Sequence, residues 1–203
     1  EERKPAAVIF IDYPGFNLRL AQRLTKSLAK KIYYISPQVW AWKENRVDII
    51  RKCIDKMLVI FKFEKDFYKK HNIDVDFVGH PLIDLTRELH SKSEFFHSHQ
   101  SFKNYSESKM TIGLLPGSRD KEVERHMPIM IEACEILRTK YPMLQFVVVK
   151  APTIPKEKIA YWLDRSDLTM SIAEEDSYDA IHACDMCIVS SGTATLETAI
   201  LGK

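Results

Sequence analysis

The chain has 203 residues, 45% of them hydrophobic and 29% charged, a composition that suits one good core or two small ones and excludes a disordered chain. Its formal net charge of +2, with basic residues interleaved among acidic ones, gives no case for nucleic acid as a partner. No apolar run approaches the ~20 residues that cross a bilayer.

Short apolar runs alternate with amphipathic segments, the pattern of a parallel sheet with crossover helices. The first strand, Val8–Ile11, is apolar throughout and reads as buried on both faces. A helix is predicted over 16–29, with Leu20, Leu24 and Leu28 on one face. Then come a strand at 32–35, a helix at 46–54, a strand at 57–61, a short helix at 64–70 and a strand at 75–78. Gly79-His80-Pro81 closes that unit. Residues 88–109 are rich in Ser, His, Lys and Glu with isolated phenylalanines, and read as a polar linker with room for a helix or turn in it. The histidines His97 and His99 read as loop residues, because no carboxylate or cysteine pattern accompanies them.

Alternation resumes with a strand at 111–115 and a helix at 122–139, whose Val123, Met127, Met130, Ile131, Cys134 and Leu137 form an apolar stripe. Strands at 145–149, 169–172 and 186–189 are separated by helices near 155–163 and 178–183, and a last helix starts near Thr193. The C-x-x-C pair Cys184 and Cys187 has no second Cys/His pair to complete a metal site and reads as two core thiols. Cysteines in apolar periodic segments and the absence of a signal-peptide pattern after Glu1-Glu2-Arg3-Lys4 lead to a cytosolic expectation. Three regions result: residues 1–87 and 110–203 as two Rossmann-like units, with 88–109 between them. The chain stops one residue after Gly202, a helix-ending glycine, where a doubly wound sheet would continue to another strand.

In open parallel sheets, ligands bind beyond the carboxyl ends of the strands. Four spots qualify. Asp12 follows the first strand and stands beside Pro14 and Gly15, placed either as a general base or as a turn-stabilising residue. Gly117, Ser118 and Arg119 follow the strand at 111–115. Gly117 permits close backbone approach, and the next two offer donors to phosphate oxygens; the alternative is an ordinary loop. Ser191, Gly192 and Thr193 precede a helix whose free amides suit an anion, and Glu197, one turn deeper, suits ribose hydroxyls. His80 either bonds a phosphate or sugar hydroxyl or caps a turn. Trp40 and Trp42 lie outside any period and either pack a surface between domains, the preferred reading, or border an acceptor site. No G-x-G-x-x-G or Walker loop occurs.

The blocks Ile11-Asp12-Tyr13-Pro14-Gly15-Phe16-Asn17, Ser36-Pro37-Gln38-Val39-Trp40-Ala41-Trp42, Phe63-Glu64-Lys65, Val78-Gly79-His80-Pro81, Leu114-Leu115-Pro116-Gly117-Ser118-Arg119 and Ser191-Gly192-Thr193-Ala194-Thr195-Leu196-Glu197 together resemble the lipid-A-disaccharide synthase family. They follow that family's order over nearly the whole chain, S-P-x-V-W-A-W and L-P-G-S-R being the specific ones. The resemblance implies a GT-B glycosyltransferase of two Rossmann-like domains, with neither metal nor cofactor. It implies inverting transfer from UDP-2,3-diacylglucosamine to 2,3-diacylglucosamine 1-phosphate at the inner face of the cytoplasmic membrane of Gram-negative bacteria. By residue-wise match Asp12 takes the base position and Arg119 a phosphate-facing one. The 191–193 turn and Glu197 fall at the UDP diphosphate and ribose, and Asn17 and His80 border the cleft.

Gly15 stands where the family carries an acidic residue. The family's G-E-x-S-G-D loop and its asparagine-containing loop match nothing in these residues, so the chain by itself is expected to be inactive. A related GT-B enzyme, such as a UDP-N-acetylglucosamine epimerase or a peptidoglycan transferase, and a non-catalytic nucleotide-binding module are the competing readings. The tryptophan block speaks against the former, and Asp12 with Arg119 against the latter. Oligomeric state is not legible from these residues.

Overall fold

The computed structural model describes residues 5–24, 29–85 and 88–203. They divide into two compact units between Ile83 and Asp84. In the first, β1 (Ala7–Ile11), α1 (Pro14–Arg23), β2 (Lys30–Tyr34), α2 (Arg46–Cys53), β3 (Lys56–Val59), α3 (Phe63–Lys70) and β4 (Val75–Phe77) alternate along the chain. The strands form a parallel sheet in the order β1-β2-β3-β4, and a short α4 (Leu82–Leu85) follows. Crossovers between parallel strands are right-handed, so a sheet that always steps in one direction carries its helices on one face. Leu18 and Ala21 of α1, Val47 and Ile50 of α2, and Tyr68 of α3 accordingly share one core with Phe10, Tyr33, Met57 and Val59.

The other face is different. Register brings Ile9 beside Ile32, Ile11 beside Tyr34 and Tyr34 beside Leu58. Ile9 is 61% and Ile11 58% exposed. The expectation that β1 is buried on both faces is therefore corrected: among the described residues β1 pairs with β2 alone and has one covered face, because their one-directional winding puts no crossover helix on the other. Helix α1 starts at Pro14, earlier than expected, while residues 25–28 of the predicted helix, Leu28 included, lie outside the described residues.

The second unit contains α5 (Lys92–Ser98), a 3-10 turn (Gln100–Phe102), β5 (Thr111–Leu115), α6 (Asp120–Lys140), β6 (Gln145–Val149), α7 (Lys156–Leu163), β7 (Met170–Ala173), α8 (Ser177–Ala183), β8 (Met186–Val189) and α9 (Thr193–Ile200). Its parallel sheet has the order β7-β6-β5-β8. The chain steps from β5 out to β7, then returns to β5's other side for β8. This reversal covers both faces. Leu114, Phe146 and Val148 pack with α6 and α7 residues such as Met127 and Ile159, whereas Leu115, Val147 and Val149 pack with Ala180 and Ile181 of α8. All five residues of β5 are buried.

The segment expected as a polar linker is part of this second core. Ser91 caps α5 in a capping box, its hydroxyl accepting from the Glu94 amide while Glu94 accepts from the Ser91 amide. Phe95, Phe96 and Phe102 are buried beside Val147, Val149 and Ala180. Their spacing matches neither a helical nor a strand period because a short helix and a 3-10 turn together bring them onto one face. Lys92 donates to the Lys109 carbonyl at 2.9 Å and pairs with Asp185 at 2.6 Å, and Asp185 also accepts the Thr111 amide at 2.7 Å. His97 and His99 bond the carbonyls of Ser93 and Phe95 through Nδ1. Among the described residues no helix is long and apolar enough to cross a membrane.

Candidate functional site

Where strand order reverses, loops leaving neighbouring strands turn to opposite faces and part, opening a crevice at their carboxyl ends. In the second unit this point lies between β5 and β8. A cavity of about 470 Å³ occupies it, lined by Gly117, Ser118 and Arg119 after β5 and by Ser191, Gly192, Thr193 and Glu197 after β8. Lys150, after β6, and Tyr178, on α8, also line it. All the residues expected around a nucleotide thus border a single cavity.

The loop after β5 is organised by Glu122. One of its carboxylate oxygens accepts the Ser118 amide at 3.0 Å and the Arg119 amide at 3.2 Å; the other takes the Arg119 guanidinium at 2.6 Å. The Ser118 amide, followed by the guanidinium, holds this carboxyl below its ordinary range. Gly117 sits at φ +128°, and a Cβ there would meet the Glu122 side chain at 2.6 Å. The glycine is thus required by the left-handed backbone and by Glu122. Close approach of a phosphate to the backbone, expected of Gly117, is met by a carboxylate that already occupies the Ser118 and Arg119 amides. What the loop offers an anion is Arg119 itself, whose side chain is 79% exposed and engages Glu122 through only one of its nitrogens. From α6, His126 Nδ1 donates to the Pro116 carbonyl at 2.8 Å and steadies the loop from below.

Opposite, the first amides of α9 have no intrahelical acceptor. Gly192, at φ 156° and ψ −160°, begins the helix in a conformation that residues with side chains rarely adopt, and open space lies where its Cβ would be. The Tyr178 hydroxyl donates to Glu197 at 3.2 Å. Burial and then the Glu197 charge raise the Tyr178 pKa, so the phenol stays protonated and orients the carboxylate. The cavity can therefore hold an anion between Arg119, Lys150 and the α9 N-terminus, with a carboxylate one turn further in for hydroxyls. Sequence alone does not single out Glu122, Lys150 or Tyr178. Only Glu122 carries a local signal, an acidic residue in the first turn of a helix ahead of an apolar stripe.

The remaining expected residues belong to the first unit. Asp12 is exposed just after β1, in a left-handed backbone at φ +44°, and Tyr13 follows at φ +43°. Asn17 lies on α1 and donates to the carbonyls of Ile11 and Asp12. His80 rests against the Phe61 ring and accepts the Leu82 amide on Nδ1 at 3.2 Å; burial lowers its pKa and favours the neutral ring. Trp40 and Trp42, read as packing residues, are 41% and 55% exposed. Trp40 meets Phe63 edge-on at 5.0 Å, and the Lys43 ammonium lies over Trp42 at 4.4 Å. Beneath them Glu64 is fully buried and accepts the Phe61 amide at 2.9 Å, and burial pushes its carboxyl up.

Two parallel α/β units, one with an anion-suited crevice at its switch point, define a protein of the GT-B class. A solved structure of UDP-GlcNAc 2-epimerase from Methanocaldococcus jannaschii shares this fold at TM-score 0.62 and 15% identity, over 98% of this chain and 60% of that one. The particular family follows from sequence. The family model described as lipid-A-disaccharide synthetase matches residues 1–203, and the chain belongs to that family. It is 44% identical over 202 residues to lipid-A-disaccharide synthase 1 of Legionella pneumophila strain Lens, covering 99% of this chain and 52% of that protein. Lipid-A-disaccharide synthase of Trichlorobacter lovleyi is 41% identical over 201 residues, covering 99% and 51%. The chain spans about half the length of the curated relatives it matches.

Proposed function

We propose that this chain supplies the UDP-holding cavity and the catalytic base of a lipid-A-disaccharide synthase. That enzyme transfers 2,3-diacylglucosamine from UDP to the 6-hydroxyl of 2,3-diacylglucosamine 1-phosphate, with inversion, at the inner face of the cytoplasmic membrane. The carrying observation is the cavity at the β5/β8 switch point, bordered by Arg119, Gly192, Thr193 and Glu197, in a chain of this family. Asp12 takes the proton of the acceptor 6-hydroxyl as its oxygen attacks the anomeric carbon. The bond to the UDP oxygen breaks, and Arg119 with the α9 amides stabilises the charge on the departing diphosphate. Glu197, oriented by Tyr178, accepts hydrogen bonds from the ribose.

An assay of a family-length polypeptide containing these residues, supplied with both lipid substrates and read by mass spectrometry, tests the reading. Formation of the disaccharide 1-phosphate together with UDP is the expected result. Epimerised sugar nucleotide, or binding of UDP without any transfer, would overturn it. The 203-residue chain alone is expected to form no disaccharide.

A further inference from the structure

Asp12 sits at a backbone corner that the chain does not adopt for free. Two successive residues other than glycine, Asp12 and Tyr13, are left-handed, with φ of +44° and +43°. Each such residue costs roughly 1 kcal/mol or more. Pro14 then begins α1 immediately, which further restricts Tyr13. Such a corner persists only where neighbours determine it, and here the neighbours are specific. The Asp12 amide donates to the Tyr34 carbonyl at 3.0 Å, extending the β1–β2 ladder by one residue. The Asp12 carbonyl accepts two donors, the Tyr33 hydroxyl at 2.6 Å and Asn17 Nδ2 at 2.7 Å, and Asn17 also reaches the Ile11 carbonyl at 3.1 Å. Both lone pairs of that carbonyl are thereby used. The carboxylate itself, on an exposed residue, has no donor within hydrogen-bond distance among the described residues.

We infer that Tyr33 and Asn17 are positioning residues that lock the Asp12 carbonyl, so that the strained corner after β1 aims an otherwise unbonded carboxylate outward. The inference rests on the proposed role of Asp12 as base. Tyr33 is suited to this task by its surroundings: it has no solvent exposure, and its ring lies 6.0 Å from that of Phe10. Burial first, and the Asp12 charge next, push its pKa far up, so the hydroxyl remains a donor at any working pH. Asn17 does the same from α1, where an amide side chain at that distance from the corner has two carbonyls within reach. The sequence block Asp12-Tyr13-Pro14-Gly15-Phe16-Asn17 then has a physical meaning, since the corner and its clamp are encoded together.

The test is a double-mutant cycle in the family-length polypeptide, following kcat and KM for the sugar nucleotide. Tyr33→Phe is expected to lower kcat about tenfold, leave KM within about twofold, and move the thermal midpoint little, because the ring keeps its packing. In an Asp12→Asn background the same change is expected to cost almost nothing further. Asn17→Ala, at a partly exposed position, is expected to behave alike and serves if Tyr33→Phe does not fold. Losses that multiply independently of Asp12, or single variants at full kcat while Asp12→Asn is slow, would overturn the inference. If Asp12→Asn itself retains full kcat, the base assignment fails instead, and the two failures are thus separable.

Discussion

The two sheets of this chain have the same number of strands, all parallel, and the cavity bordered by strand-end loops of Gly117–Arg119 and Ser191–Thr193 belongs to the second. In the first, β1 to β4 follow one another in a single direction, α1 to α3 share one face, and Ile9 and Ile11 stay exposed on the other. In the second, the return from β7 to β8 reverses direction, both faces are covered, and the crevice opens at the reversal. The strands of the two sheets are alike in number and direction. What differs is strand order, and strand order alone decides whether neighbouring loops part to admit a ligand.

On the proposed function, chemistry falls to the first unit and nucleotide affinity to the second, and that division can be broken accordingly. The largest effect is expected from Asp12→Ala in the family-length polypeptide: a fall in kcat of about 10²–10⁴ with UDP affinity essentially unchanged. Calorimetry showing a comparable loss of UDP binding would join what the comparison separates. Next, Leu114→Ala, at the fully buried centre of the second sheet, should destabilise the chain by about 2–5 kcal/mol in denaturant titration. Arg119→Ala should weaken UDP binding roughly 10–100-fold, the worth of a charge-assisted hydrogen bond or two. Retained affinity would make Arg119 an ordinary surface residue.

A smaller effect concerns acid. Burial raises the Asp185 carboxyl, but Lys92 and the Thr111 amide outweigh it and hold the group below its usual range. A carboxylate depressed by folding contributes stability that is complete above its unfolded pKa, about 4, and is lost as pH falls through the folded value. Asp185→Asn should therefore lower the unfolding midpoint at neutral pH and leave it nearly unchanged in strong acid; an equal loss at both would exclude the linkage. The smallest effect is expected on the open face of the first sheet, where Ile11→Ser in the 203-residue chain should stay within about 0.5 kcal/mol. A loss as large as that of Leu114→Ala would show that this face is covered after all.

Most elements could be read from the sequence because each carries its own period. Strands 111–115, 145–149 and 186–189 stand where apolar runs are bounded by turn residues. The stripe of α6 is equally plain, since its spacing of three and four residues repeats over about four turns. The segment 88–109 was not legible, because Phe95, Phe96 and Phe102 reach one core through two short helical pieces rather than one period. The burial of β1 was misread for a related reason. An apolar run reports that a strand suits two covered faces, whereas the cover is supplied by elements elsewhere in the chain.

The cavity shows the same division. Residues at strand ends and helix starts announce themselves locally, which is why Gly117, Arg119, Gly192 and Glu197 could be named from short blocks. Their partners do not. Lys150 and Tyr178 join the cavity from other βα units, and Glu122 claims the loop amides only once α6 has formed.

By itself the sequence determined the alternation of strands and helices, the glycines at left-handed corners and the family blocks, all of which are local properties of the chain. Tertiary structure alone decided which face of each sheet is covered and where strand order reverses. It also decided that Tyr33, thirty-third in the chain, clamps the carbonyl of Asp12. The physical reason is common to all three. Periodicity and turn chemistry act within a few residues, whereas sheet order, burial and hydrogen-bond partnership are set by packing between segments that the chain brings together only on folding.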